Sequence, residues 1–304
     1  MRLQAWTTTG NRAWWHSRGE DAMERTSQDD PARGAVVLIT GGARGMGELY
    51  ARRAVAAGAR SVALWDIDEE RATALAADLG RSGVDVRAYA VDVSQPESIR
   101  DGVARVRDDV GAPDILINNA GIVRGAPFWE HDPVRDIEAT MRVNTLAAMW
   151  LTREVLPHMI ADRSRPKRIL NIASAAGTLA NPRMSVYAAS KWAMIGWSES
   201  VRLELAAAGH RHIAVTTFCP SYVSTGMFAG ARGPLLTPIM TPVQATAAAW
   251  RGMRRGTPMV LRPWTVKLAM ALRGVLPTRA WDAIAGRVFR VYSSMDAFTG
   301  RAGD

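Results

Sequence analysis

From Gly34 onward the chain alternates short apolar runs with longer Ala-, Glu- and Arg-rich segments. No other feature restricts the fold as much. The runs AVVLIT (35–40), SVALWD (61–66), VRAYAVDV (86–93), DILINNAG (114–121), RILNIAS (168–174) and IAVTTFCP (213–220) are aliphatic or β-branched and bounded by turn residues, as strands are. Between them, segments such as ELYARRAVAAG and DEERATALAADLG carry helical spacing, the second with acids at its start and Gly80 as its stop. A strand that is apolar without alternation is buried on both faces, so helices must cover both sides of a parallel sheet. Right-handed crossovers then make that sheet doubly wound. Neither a linker nor an internal repeat interrupts the chain, so one α/β domain is expected over 34–263. TPMVLRP (257–263) supplies a last strand, and a helical extension of the same domain follows over 264–304.

The ends and the composition narrow the possibilities. Residues 1–33 read as a polar, partly disordered tail. It contains Trp6, Trp14 and Trp15, which either dock on the body or precede a true start at Met23. The tail lacks the continuous apolar core of a secretory signal, and no run approaches the ~18 apolar residues of a membrane span. The formal net charge of +9 comes from arginines scattered among alanines, without a dense basic run, which argues against nucleic acid as a partner. A single cysteine, Cys219, excludes an internal disulfide and a cysteine-rich metal site, and suits a reducing, cytoplasmic setting.

TGGARGMG (40–47) stands at the first strand-to-helix turn. Glycine is costly to order, so three in eight residues need a reason. At this place they permit a tight turn and let the backbone approach a pyrophosphate, which the new helix meets with unsatisfied N–H groups and its positive end. Gly41, Arg44, Gly45, Met46 and Gly47 are the candidate residues. The second strand ends at Asp66, roughly twenty residues beyond the last glycine, where a carboxylate can bond both ribose hydroxyls of an adenosine. A carboxylate there repels a 2′-phosphate, and Ile67 follows it, so NAD is expected over NADP. Arg44 is the one nearby residue that suits a phosphate. Capping the next helix is the alternative role for Asp66, although Asp68 can serve there. The expected fold is thus a single doubly wound sheet of Rossmann type.

Four later segments, taken together, carry a resemblance. NNAG (118–121) closes the fourth strand, Asn144 lies in RVNTL, NIASAAG places Ser174 at the end of the fifth strand, and YAASK supplies Tyr187 and Lys191. This ordered set resembles the short-chain dehydrogenase/reductase family over about 36–227. A lone tyrosine and lysine one helical turn apart are often a surface pair. Five motifs in order are much stronger. The i, i+4 spacing puts Lys191 near the Tyr187 phenol, where a cation favours phenolate and fits the tyrosine as acid/base in hydride transfer. Ser174 would hold the substrate oxygen. The resemblance implies that Asn144 supports a water chain to Lys191 and that Asp92 and Val93 flank the adenine. It also implies that Asn118, Ala120 and Gly121 line the ribose, and Pro220, Val223 and Thr225 the carboxamide, with Tyr187 and Lys191 completing the cofactor site. Ser221 departs from the glycine usual after the proline, and a positive φ there would strain the loop. Cys219 is expected to pack as a small hydrophobe.

The substrate half is less legible. The segment 224–242 is apolar with Gly and Pro punctuation, as a mobile lid is. Met227 and Phe228 are the candidate substrate residues, with Leu235, Leu236, Ile239 and Met240 as further lining. The implied substrate is a hydrophobic alcohol or ketone, and PSYVSTGMF gives a loose similarity to the retinoid and 17β-hydroxysteroid branch. In the extension, Trp264, Leu268 and Leu272, then Trp281, Ile284, Val288 and Tyr292, recur at helical spacing. They would cover the pocket or a subunit contact, in preference to lying on a membrane surface through 264–292. The resemblance implies a homodimer or homotetramer built on helices around 134–159 and 185–207. No metal is expected. A catalytically silent dinucleotide-binding sensor is the alternative to an enzyme.

Overall fold

The computed structural model describes residues 30–300. The tail's three tryptophans and Met23 lie outside the described residues. Seven parallel strands form one sheet: β1 (Val36–Thr40), β2 (Ser61–Asp66), β3 (Asp85–Ala90), β4 (Ile115–Asn118), β5 (Lys167–Ile172), β6 (Ile213–Pro220) and β7 (Met259–Arg262). Their order is β3-β2-β1-β4-β5-β6-β7, so the direction of winding reverses between β1 and β4.

Alternate residues of each strand enter opposite cores. Val37, Ile39, Leu64 and Ile117 face Tyr50 and Ala54 of α1 (Gly45–Ala56), Leu75 and Leu79 of α2 (Glu69–Gly80), and Ala249 and Met253 of α6 (Pro242–Arg254). Leu38, Trp65 and Leu116 face Ile99 and Val106 of α3 (Pro96–Val110), Leu151 and Met159 of α4 (Ala147–Ala161), and Leu205 of α5 (Ser185–Ala207). Both faces are dry, which is why the strands read as unbroken apolar runs.

Three boundaries differ from expectation. The run at 86–93 stops pairing at Ala90, which leaves Asp92 and Val93 in the following loop. Gly80 is the last residue of α2 and not its stop; Gly83, three residues on, takes the left-handed conformation with φ 86°. Residues 30–33 belong to the body, not to a loose tail. Ala32 is fully buried, Asp30 pairs with Arg254 at 2.9 Å, and the Arg165 guanidinium donates to the carbonyls of Pro31, Arg33 and Gly34.

The extension folds as α7 (Trp264–Val275) and α8 (Thr278–Ala283), prolonged by a π turn over Ile284–Val288. Tyr292 lies beyond that turn, outside any helix. Val266, Trp281 and Ala285 are buried, and Arg273 stacks on Trp192 at 4.6 Å while donating to Thr178 O. Among the described residues no helix is long and apolar enough to cross a membrane.

Candidate active site

The carboxyl ends of the strands open into a cleft at the winding reversal, where open α/β sheets hold ligands. Its floor is the first turn. Gly41 and Gly45 adopt φ of 62° and 60°, a region that favours glycine. Asp66 anchors this turn: one carboxylate oxygen accepts from Ala43 N at 2.9 Å and the other from Asp68 N at 3.1 Å. Asp68 caps α2 by accepting from Arg71 N, which leaves Asp66 free of that task. Thr40 Oγ1 accepts from both Asn119 N and Ala120 N at 3.0 Å, tying the two strand ends that frame the reversal.

The cleft is lined by Gly41, Arg44, Gly45, Met46, Asp66, Asp92, Val93, Ala120, Gly121, Tyr187, Lys191, Pro220, Val223 and Thr225. Two expected residues are elsewhere. Gly47 is buried under the turn: a Cβ there would lie 1.9 Å from Gly41 O, so it serves helix–turn packing. Asn118 points into the sheet layer, where its Nδ2 donates to Asn171 Oδ1 at 2.8 Å and Thr152 Oγ1 at 3.2 Å. The next residue, Asn119, forms the wall instead. Ser221 also lines the cleft without a positive φ, so the expected strain is absent. A dinucleotide fits these residues: a glycine cradle, a carboxylate at the tip of β2, and no basic residue directly after it.

Asn144, Ser174, Tyr187 and Lys191 converge beside this cleft, all buried. Tyr187 and Lys191 share a face of α5, with Nζ 5.7 Å from the phenol ring centre and donating to Ile172 O at 2.8 Å. Ser174, just past β5, accepts from Ala176 N and also hydrogen-bonds Tyr187. Asn144 sits in a π turn (Arg142–Leu146) and clamps Ile122, accepting from its N–H at 2.8 Å and donating to its carbonyl at 2.9 Å. Its Oδ1 and the Lys191 Nζ both border Gly121.

Burial pushes the Tyr187 phenol up to about 12, against the Ser174 hydrogen bond, and pushes the Lys191 ammonium down to about 8. An ordinary phenol is already neutral at neutral pH, and in the ligand-free protein desolvation holds position 187 further from ionisation. Cys219 is fully buried and its thiol is likewise raised to about 12, in keeping with a packing role.

A second, apolar cavity adjoins the cleft and shares Ser174, Ser221 and Phe228 with it. Leu179, Met184, Val266, Leu272 and Trp281 supply its walls, and Leu235, Leu236, Trp264 and Leu268 form an exposed apolar rim. The extension thus covers a pocket. Phe228 lies edge-on between Tyr187 and Tyr222, at 5.7 and 5.3 Å. Met227 borders the first cleft only, while Met240 packs into the core beside β1 and Ile239 is outside both cavities. Tyr222, Asn181, Thr237 and Phe289 line the apolar pocket without having been singled out by pattern. They sit in loops, where periodicity gives no signal.

Comparison with known proteins agrees with this geometry. The family described as short chain dehydrogenase matches residues 35–234. The chain is 34% identical over 256 residues to estradiol 17-beta-dehydrogenase 11 of Rattus norvegicus, covering 84% of each. It is 33% identical over 273 residues to epidermal retinol dehydrogenase 2 of Mus musculus, covering 88% of this chain and 86% of that one. Among solved structures, a short-chain dehydrogenase from Sphingobium yanoikuyae in complex with NADPH aligns with TM-score 0.66 at 30% identity, covering 80% of this chain and 97% of that one. One from Burkholderia phymatum in complex with NAD aligns with TM-score 0.72 at 23% identity, covering 80% and 93%, a likeness of fold.

Proposed function

Because the chain belongs to the short-chain dehydrogenase family, we propose that it interconverts an apolar alcohol and its ketone or aldehyde, using NAD in preference to NADP. One observation carries this reading: a polar cleft with a glycine floor and an apolar pocket meet at Ser174, beside the Tyr187 phenol. When bound, the nicotinamide exchanges hydride with the carbinol carbon. Everything else falls to the chain. Ser174 holds the substrate oxygen. Tyr187 gives its proton to that oxygen in reduction and takes the alcohol proton in oxidation. Lys191, within reach of Gly121 and the Asn144 amide, steadies negative charge on the phenol oxygen once the pocket is filled.

A phenol that is neutral at rest is a ready acid, so reduction runs at neutral pH and oxidation gains as pH rises. Asp66 supports NAD, since a 2′-phosphate would face its carboxylate. The NADPH-bound relative lends weight to the opposite choice, and Arg44 is the residue that would serve it. The test is NADH formation over a panel of apolar alcohols. Turnover is expected with NAD, and Tyr187→Phe should abolish it without weakening NAD binding. Activity that survives in that variant refutes the assigned acid/base. NAD binding with no turnover over the panel favours a dinucleotide sensor.

A further inference from the structure

Between Leu205 and Trp281 the sequence holds nine Arg and Lys and not one Asp or Glu, so this stretch alone equals the formal net charge of +9. The cations are spread along the chain, but the fold gathers four of them. Arg251 and Arg255 from the end of α6, Arg262 from the end of β7 and Lys267 from the start of α7 line one cavity of about 130 Å³ at the β7 edge of the sheet. No carboxylate lines it. None of the four side chains makes an ion pair or a hydrogen bond among the described residues, whereas Arg254, in the same turn, reaches Asp30 at 2.9 Å.

Like charges held together repel, and helix electrostatics accounts for only half of them. Arg251 and Arg255 suit the negative end of α6. Lys267 does the reverse. It stands in the first turn of α7, at the positive end of that helix, and no acid in the turn offsets it. Arg262 belongs to an edge strand and has no helix end to serve. An anion entering the cavity relieves the repulsion of all four at once.

We propose that this cavity binds a phosphate-bearing anion. Each arginine offers parallel N–H donors to phosphate oxygens, and Lys267 adds a point charge. Several cations in one place match clustered phosphate charge better than a lone carboxylate. Nucleic acid fits less well, because the cations meet in one cavity and form no stripe along a face. The cavity shares no lining residue with the dinucleotide cleft or with the apolar pocket, so it is a separate site. Two sources offer the chemistry: a soluble polyphosphate, and the headgroup of an anionic phospholipid. The exposed Trp264 and Leu268, on either side of Lys267 in α7, are apolar neighbours suited to the second.

The experiment uses the full chain saturated with NADH, so that the dinucleotide cleft is filled and takes up no probe. It is titrated by calorimetry with inorganic tripolyphosphate. Separately, it is floated with vesicles of phosphatidylcholine, alone or mixed with phosphatidic acid. Uptake of tripolyphosphate identifies a soluble anion, flotation that needs phosphatidic acid identifies a headgroup, and both together identify a site that reads phosphate from either source. In the triple variant Arg251→Gln, Arg255→Gln, Lys267→Gln the affinity in the responding arm should fall roughly a hundred-fold. All three residues are exposed, so the fold should persist, which melting checks. Arg232→Gln removes an exposed cation of the same stretch that lies outside the cavity, and should change affinity by less than about two-fold. No uptake of tripolyphosphate, with flotation absent or indifferent to phosphatidic acid, overturns the proposal. So does binding that the triple variant keeps, or that Arg232→Gln weakens equally.

Discussion

Lys191 is expected to destabilise the protein that needs it. Its side chain is 4% exposed, and burial lowers its pKa from 10.5 to about 8. At about 1.4 kcal/mol per pKa unit, holding the ammonium charged in the fold costs about 3 kcal/mol at neutral pH. Lys191→Met removes that penalty while keeping a long unbranched side chain. It also removes the bond to Ile172 O, and an orphaned buried carbonyl costs about 1–2 kcal/mol. The variant should therefore be about 1–2 kcal/mol more stable at pH 7, a rise of roughly 2–3 °C in Tm for a domain of this size, while losing turnover. The sign follows from the proton count. Between about pH 8 and 10.5 the unfolded chain holds a proton on Lys191 that the folded chain has released, so wild-type stability rises through that window relative to the variant. Below about 8 both states are protonated and the penalty is complete. Calorimetry of the cofactor-free proteins from pH 6 to 11 measures the gap, and the difference cancels the buried tyrosines, which titrate alike in both. A variant less stable at pH 7, or a gap that does not shrink above pH 8, refutes the reasoning.

Four further changes separate the roles assigned above. Gly47→Ala drives a methyl to 1.9 Å from Gly41 O, so α1 or the turn must move by about an ångström. The expected losses are about 1–3 kcal/mol in stability and at least ten-fold in NAD affinity, read by melting and by NADH fluorescence titration. Gly45→Ala meets no atom within 4 Å and should cost only the left-handed backbone, about 1 kcal/mol. Asp66→Asn keeps an acceptor for Ala43 N but removes the charge and sets an amide NH2 against Asp68 N, so the NAD-to-NADP ratio of kcat/KM should fall by about ten-fold or more, with about 1–2 kcal/mol lost in stability. Lys167→Met strips the nearer of two cations from the buried Asp114 carboxylate, which Lys167 Nζ meets at 2.6 Å, and leaves Arg165 at 3.6 Å and the Val36 N–H bond. It should cost about 1–3 kcal/mol in urea unfolding without altering KM, since the pair lies at the opposite end of the sheet from the cleft.

What could be read beforehand follows from what kind of regularity each feature has. The sheet was legible because the central strands are buried on both faces and announce themselves as apolar runs, whereas the edge strand β3 carries exposed Asp85 and Arg87. The overshoot at 91–93 arose because Val91 still enters the core after pairing has stopped at Ala90. The tetrad was legible through the resemblance; one helix dictates only the Tyr187–Lys191 spacing, while Ser174 follows β5 and Asn144 lies in a π turn. Motifs carry position but not orientation, however. Asn118 and Asn119 are adjacent and chemically identical, yet strand alternation sends the first between β5 and α4 and the second to the cleft. Burial was hidden for a similar reason. The distance from Tyr187 to Lys191 follows from helix geometry, whereas the desolvation that holds the phenol further from ionisation comes from Met184, Tyr222, Phe228 and Met295, packed in from three other segments. The apolar pocket is the extreme case. Asn181, Tyr222 and Ser294 span more than a hundred residues, belong to three loops, and meet through their hydrogen bonds alone. Periodicity records which side of an element faces the core. It holds no record of a hydrogen-bond chain assembled between elements.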